Sequence, residues 1–256
     1  MISGFGPGAL AILLPLVFLS GLVDAIAGGG GLISLPAYLL AGVPAHFAVA
    51  TNKISSSMGL VVSTARYVRR GNADWALAIP SAALSVLGAM LGARLNLLVP
   101  ERVIRILLVA LLPVAAFIVL RKRELSPASE IPRTRQFAAV CLLSALIGAY
   151  DGFYGPGAGT FLLLGFTGLA GLSVQTSSAN MKIANICSNS GALVVYLLSG
   201  QALIPLGLVA GIAAVLGQYV GSGFVIRKGV TAVRPVILIV LTLLFLRVVL
   251  ELTGIL

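Results

Sequence analysis

Apolar residues fall into ten stretches along this chain, divided by short polar breaks and by clusters of glycine and proline. Between charges and turn signals the stretches run over residues 9–23, 29–41, 45–68, 75–98 and 102–120, then 137–150, 157–170, 177–199, 203–226 and 231–253. A hydrocarbon core about 30 Å thick takes about 20 helical residues to cross, so the longer stretches predict membrane helices. The first two of each half have only 13 to 15 residues, and a glycine cluster joins each pair. That length predicts re-entrant or broken segments.

The two halves repeat. At a shift of 127 residues, Gly21-Leu-Val-Asp24-Ala-Ile-Ala-Gly28-Gly-Gly30 aligns with Gly148-Ala-Tyr-Asp151-Gly-Phe-Tyr-Gly155-Pro-Gly157. At a shift of 129, Lys53 meets Lys182, Tyr67 meets Tyr196, Gly71 meets Gly200, Gly88 and Gly92 meet Gly217 and Gly221, and Arg105 meets Arg234. An internal duplication of this kind characterises secondary transporters. The expected organisation is a membrane repeat over residues 1–120, a basic linker over 121–136 and a second membrane repeat over 137–256. The linker holds five Lys and Arg against two acids, which predicts a cytoplasmic location. An odd number of crossings per half then inverts the second repeat and puts both termini outside. Arg94, Arg102 and Arg105 sit awkwardly in that topology, and if each glycine-interrupted pair is one broken helix the repeats become parallel. The fold class is an all-α integral membrane protein, multi-pass in the cell inner membrane, with two repeats and about 8 to 10 segments.

Composition agrees. The chain is 59% hydrophobic and only 9% charged, with a mean hydropathy of +1.11. Soluble chains carry about 25% charged residues, so a soluble globule is excluded. The 30 Gly and 12 Pro have no triplet period, which excludes collagen. The net charge of +10 is dispersed at segment ends rather than gathered in a stripe, which fits the positive-inside bias and not nucleic-acid binding. Residues 1–23 lack a basic n-region, so the expectation is a first membrane helix rather than a signal peptide. Cys141 and Cys187 form no CxxC and read as packing residues. No metal-ligand cluster, catalytic set or cofactor motif is present, so neither an enzyme nor a cofactor is expected.

A charge deep in an apolar segment costs about 2.5 to 3.5 kcal/mol on insertion scales, so it needs a partner or a task. Asp24, Lys53, Asp151 and Lys182 meet that description, and they form two pairs of repeat equivalents. The clusters Gly28-Gly29-Gly30-Gly31 and Gly155-Pro-Gly157-Ala-Gly159 let the backbone leave helical geometry, while a following half-helix turns its positive end toward an anion. Hydroxyls and amides surround both lysines: Asn52, Ser56 and Ser57 in one half, Ser178 and Asn185 in the other. Ammonium charge with hydroxyl and amide donors suits an oxyanion. The expected substrate site therefore comprises Lys53, Lys182, Asn52, Ser56, Asn185, Ser178, Gly29, Gly30, Gly157 and Tyr154, with Asp24 and Asp151 as a coupling or structural ion pair. Lysines that snorkel, Ser and Asn groups that glue helices, and Lys–Asp pairing for structure alone are the competing readings. Gly88-x3-Gly92, Gly207-x3-Gly211 and Gly217-x3-Gly221 read as helix-packing faces. His46 reads as an interfacial histidine more readily than as a proton relay, and Trp75 as a belt residue.

These residues resemble the sulfite exporter TauE/SafE family, also called the toluene sulfonate uptake permease family. The resemblance spans nearly the whole chain. It rests on the GLVDAIAGGGGLISLP opening, the Ala-Thr-Asn-Lys53 stretch, the basic linker, Asp151-Gly-Phe-Tyr-Gly-Pro-Gly157 and Ala-Asn-Met-Lys182-Ile-Ala-Asn185. It implies secondary transport of a small sulfur-containing anion, a sulfonate such as sulfoacetate or sulfite, through a midplane site at the repeat interface. The partners to expect are that anion, membrane lipids, a coupling proton or ion and a second copy of the chain. The rival functions are a non-transporting membrane scaffold and a carrier of another small anion or metabolite.

Overall fold

A computed structural model of the protein describes residues 6–104, 106–107 and 131–228. Most of the stretch at 102–120, the linker as far as residue 130, the stretch at 231–253, Arg105 and Arg234 lie outside the described residues. Within them the chain forms α1 (Pro7–Ala27), α2 (Gly31–Leu40), α3 (Ala45–Val68), α4 (Trp75–Leu98), α5 (Arg133–Phe153), α6 (Ala158–Gly168), α7 (Val174–Leu198) and α8 (Ile204–Lys228). The order of long and short helices is the same in both halves. Five helices among the described residues, α1, α4, α5, α7 and α8, are long and apolar enough to cross a membrane. Although α3 has 24 residues, its Thr51–Ser57 run makes it too polar to join them.

Two expected lengths are corrected. Both α1 and α5 have 21 residues, not 14 or 15, because each helix continues past its aspartate. A paired carboxylate need not end a membrane helix, and Asp24 and Asp151 are both paired. At its other end α5 starts at Arg133, so the last four residues of the basic stretch form its first turn.

What ends α1 is Gly28, whose φ of 75° places it in the left-handed region that a glycine enters without strain. Gly155, at φ 100°, serves the second half in the same way. After each break the short helix folds back along its predecessor. Tyr38 and Ala41 at the end of α2 share an apolar cluster with Leu13 and Val17 of α1. Likewise Leu162, Leu163 and Phe166 of α6 pack on Val140, Leu143 and Ile147 of α5. The glycine-interrupted pairs are hairpins rather than single broken helices. Their tips meet at the centre, where the Thr160 amide donates to the Gly28 carbonyl at 3.2 Å.

Contacts along each helix pair fix its relative direction. Asp74, which precedes α4, and Ser81 and Asn96 of α4 meet Arg133, Ser144 and Phe153 of α5 in order, so the two run together. Phe18 and Leu22 of α1 meet Gly217 and Gly221 of α8 in the same sense. Thr51 and Arg66 of α3 meet Leu203 and Ser222, so α3 also runs with α8. By the pairs Asp74 with Asn180 and Val86 with Gly191, α7 runs with α4. Lys53 lies at the level of Ser188 and Asn189, where all three reach Asp151, while Thr64 meets Lys182. Hence α3 and α7 are antiparallel, and equivalent helices of the two halves point in opposite directions.

Small residues let these helices approach closely. A Cβ on Gly88, Gly92, Gly148 or Gly152 would strike backbone atoms across the α4–α5 seam, and one on Gly21, Gly217 or Gly221 would strike backbone across the equivalent α1–α8 seam. The opposite faces are apolar and exposed: Leu87, Leu91 and Leu95 on α4, Leu208, Ile212 and Leu216 on α8. Apolar outside with polar inside is the arrangement a bilayer selects.

Candidate functional site

The site begins where α1 and α5 stop. The negative end of a helix dipole lies at its last turn, where carbonyls can take donors from outside the helix; the Asp24 carbonyl also accepts from the Gly28 amide at 2.9 Å. Each half sends a lysine to that point on the other half. Lys53 Nζ of α3 donates to the Asp151 carbonyl of α5 at 2.6 Å, and Lys182 Nζ of α7 donates to the Asp24 carbonyl of α1 at 2.6 Å. Each ammonium also faces the side chain of the same aspartate. The ion pairs are therefore crossed between the repeats: Lys53–Asp151 at 2.9 Å and Lys182–Asp24 at 3.5 Å. Two tyrosines repeat the exchange, Tyr67 donating to the Ala25 carbonyl and Tyr196 to the Gly152 carbonyl.

The two pairs differ in their surroundings. Lys53 and Asp151 have side-chain exposures of 3% and 4%. One oxygen of Asp151 takes Lys53, and the other takes the Ser188 hydroxyl at 2.6 Å and the Asn189 amide at 3.0 Å. Lys182 is fully enclosed, whereas Asp24 keeps 15% exposure. Asp24 accepts from the Gly30 amide at 3.2 Å on one oxygen and from Gln218 Nε2 at 2.6 Å on the other.

Between the pairs lies a small polar cleft, lined by Asp24, Asn52, Lys53, Ser56, Asp151, Asn185 and Asn189, and by Gly28, Gly31, Gly155 and Gly159. Gly31 and Gly159 belong to the first turns of α2 and α6, so two helix N-termini open on the cleft. Leu60 is its apolar contributor.

Of the residues expected from sequence, Asn52, Lys53, Ser56, Asn185, Asp24 and Asp151 line the cleft. The others stand elsewhere. Lys182 lies behind Asp24. Ser178 turns its hydroxyl back to the Val174 carbonyl at 2.7 Å. Gly29 and Gly30 are buried inside the first hairpin, where the Gly30 carbonyl accepts from Ser20 at 2.8 Å. Gly157, at φ 81°, packs beside Phe161. Tyr154 is 2% exposed in an apolar cluster with Val195 and Tyr196, because its ring completes the α5–α7 contact. Sequence reasoning missed Asn189, Ser188 and Gln218. Asn189 was readable as the next turn after Asn185 on α7, and Gln218 as the one amide side chain in the apolar run of α8.

His46 stands apart from the cleft. Its Nδ1 is 2.9 Å from Asn96 Oδ1 and its Nε2 is 3.0 Å from the Val99 carbonyl, with Glu101 at 3.8 Å. Glu101 accepts from the Ala45 and His46 amides and so caps α3. Where α4 and α5 begin, Arg133 holds the Asp74 carboxyl below the usual carboxylate value through a direct hydrogen bond.

The family model of the sulfite exporter TauE/SafE matches residues 13–248. The chain belongs to the sulfite exporter TauE/SafE family. It is 39% identical over 238 residues to the Sinorhizobium sp protein named "Probable membrane transporter protein ORF9", covering 93% of this chain and 91% of that one. It is 33% identical over 234 residues to Escherichia coli K12 "Probable membrane transporter protein YfcA", covering 91% and 87%. A Haemophilus influenzae protein named "Probable membrane transporter protein" is 31% identical over 238 residues, covering 91% and 92%. No solved structure matches the chain. As a TauE/SafE protein with five apolar candidate spans, it is a multi-pass membrane transporter.

Proposed function

We propose that this TauE/SafE protein is a secondary transporter of a small sulfur-containing anion, a sulfonate such as sulfoacetate, or sulfite, across the inner membrane. The observation that carries the reading is the cleft where the two hairpin tips meet. Lys53, Asn52, Ser56, Asn185 and Asn189 line it, an ammonium with amide and hydroxyl donors placed to replace an oxyanion's hydration shell. The opposed directions of equivalent helices support an inverted-topology repeat, with the basic linker cytoplasmic and the cleft near the midplane. No bond-making chemistry is assigned to the site, and the driving force is an ion or substrate gradient.

A second reading has an observation of its own. Both lysines are already paired with aspartates, as they would be in a scaffold whose ion pairs only lock the halves together. Thermal stability in detergent, measured against sulfite, sulfate, sulfoacetate, taurine, isethionate and plain carboxylates, separates the two, since selective binding stabilises the native state. The transporter reading expects stabilisation by sulfite or a sulfonate that Lys53→Gln removes. Absence of stabilisation by every anion, at every pH, favours the scaffold.

A further inference from the structure

We infer that Asp24 is the proton-carrying group of the transport cycle and that the Gln218 amide is its switch, so that the anion enters together with one proton. The inference rests on the anion-site reading above. It starts from charge. The centre holds two lysines and two aspartates, which balance when all are ionised. An anion added to that set leaves an unneutralised negative charge in a low-dielectric environment, and a proton taken up at one carboxylate restores neutrality.

The geometry selects which carboxylate. Asp151 is the more tightly held: Lys53 occupies Oδ1 at 2.9 Å, the Ser188 hydroxyl at 2.6 Å and Asn189 Nδ2 at 3.0 Å face Oδ2, and the side chain is 4% exposed. The Asn189 amide cannot turn over to accept a proton, because its nitrogen also faces the Asn185 carbonyl and Asn185 Oδ1, both oxygens, at 2.9 and 3.1 Å. Asp24 is open. Its lysine contact is the longer one, 3.5 Å, and its side chain keeps 15% exposure against 4% for Asp151. Its strongest side-chain partner is Gln218 Nε2 at 2.6 Å.

Gln218 is 2% exposed, and its Oε1 is buried without a hydrogen-bond partner among the described residues. A buried amide oxygen left unpaired is costly. It gains a partner if Asp24 is protonated: the amide turns over, and the Asp24 carboxylic acid donates to Gln218 Oε1. An amide can hold either form of the carboxyl, because it offers a donor on one side and an acceptor on the other. A Cβ on Gly59 would lie 2.9 Å from Gln218 Cγ, so the glycine makes room for this side chain. The repeat equivalents of Gly59 and Gln218 are Ser188 and Ala89. Asp151 therefore meets a short hydroxyl where Asp24 meets the longer amide, and the two aspartates are not interchangeable.

The other charged and titratable groups facing Asp24 among the described residues are Lys182 from α7, Tyr67 from α3, and Lys53 with Asp151 across the cleft. Lys182 stays anchored by the Asp24 backbone carbonyl at 2.6 Å whether or not the carboxyl is ionised. Neutralising the carboxyl thus leaves the Lys182 charge to act on an anion in the cleft. The proton arrives from water on the side to which the cleft opens, binds Asp24 Oδ2, and leaves with the anion on the other side.

The test is proton counting on the purified full chain in weakly buffered detergent, with sulfite and sulfoacetate as probes, together with infrared difference spectra of anion addition. The expected results are uptake of about one proton per anion bound and affinity falling about tenfold per pH unit on the alkaline side. A protonated-carboxyl band should appear on binding, vanish in Asp24→Asn and shift in frequency in Asp24→Glu and in Gln218→Leu. Anion binding by wild-type protein without proton uptake overturns the inference while leaving the anion site standing. So does a band that survives unchanged in Asp24→Asn. If neither probe binds wild-type protein at any pH, the anion-site reading fails and takes this inference with it. The wild-type count decides even if a variant does not fold.

Discussion

At the scale of single residues, the crossed pairs carry most of the energetic risk. Removing one partner of a buried ion pair leaves an uncompensated charge and costs about 3 to 5 kcal/mol, while replacing both by apolar groups is often neutral. Lys53→Met should therefore lower the unfolding midpoint sharply, and Lys53→Met with Asp151→Leu should recover most of the loss. Stability curves of the two variants in detergent check it, and equal losses in both would remove the pair from the account. The four ionisable residues were legible in sequence because lipid makes every such group conspicuous. Their pairing was not, since each lysine pairs across the repeats with a residue about 100 or more positions away, Lys53 with Asp151 and Lys182 with Asp24. Ser178 and Tyr154 misled for a related reason: helical spacing places a side chain on a face, but which face meets the cleft is decided by packing.

At the scale of elements, the helix seams are set by glycines. Alanine ordinarily improves a helix interior by about 1 kcal/mol over glycine, yet a Cβ on Gly92 would strike the Ala149 carbonyl of α5. Gly92→Ala and its repeat counterpart Gly221→Ala should each destabilise by about 1 to 3 kcal/mol, as overpacking does. Gly8→Ala, where a Cβ meets nothing within 4 Å, should leave stability unchanged or raised. Thermal unfolding of the three variants side by side is the check. A second element contact responds to pH. Arg133 of α5 bonds Asp74 at the start of α4 at 2.6 Å and holds its carboxyl below the ordinary value of 3.8. A lowered folded value means stability that is present above the ordinary value and lost as pH falls through the lowered one. Asp74→Asn should therefore unfold at lower temperature than wild type near pH 7 and lose that deficit in acid, as pH falls through the lowered carboxylate value. Persistence of the deficit in acid would assign it to something other than this pair. The helices themselves were readable: α3 and α4 fall on the expected residues 45–68 and 75–98. What apolar counting mistook was the length of α1 and α5, because it treated a charge as a boundary.

At the scale of the whole molecule, the two halves meet at a central cleft whose two sides carry matching residue types but are chemically unequal. The family and the class of architecture were legible from the repeated aspartate, glycine and lysine motifs. The hairpin fold of the glycine-interrupted pairs was not, because a broken helix and a re-entrant hairpin share one hydropathy pattern and differ only in what the short helix packs against. The central claim is that this cleft moves a small sulfur-containing anion. Flux of labelled sulfite and sulfoacetate through proteoliposomes of the full chain tests it most directly, with an imposed pH gradient and with Lys53→Gln as comparison. The account predicts saturable flux of at least one of these anions above protein-free vesicles, reduced at least tenfold by Lys53→Gln. Folded wild-type protein that moves neither anion under either polarity of the gradient would contradict it.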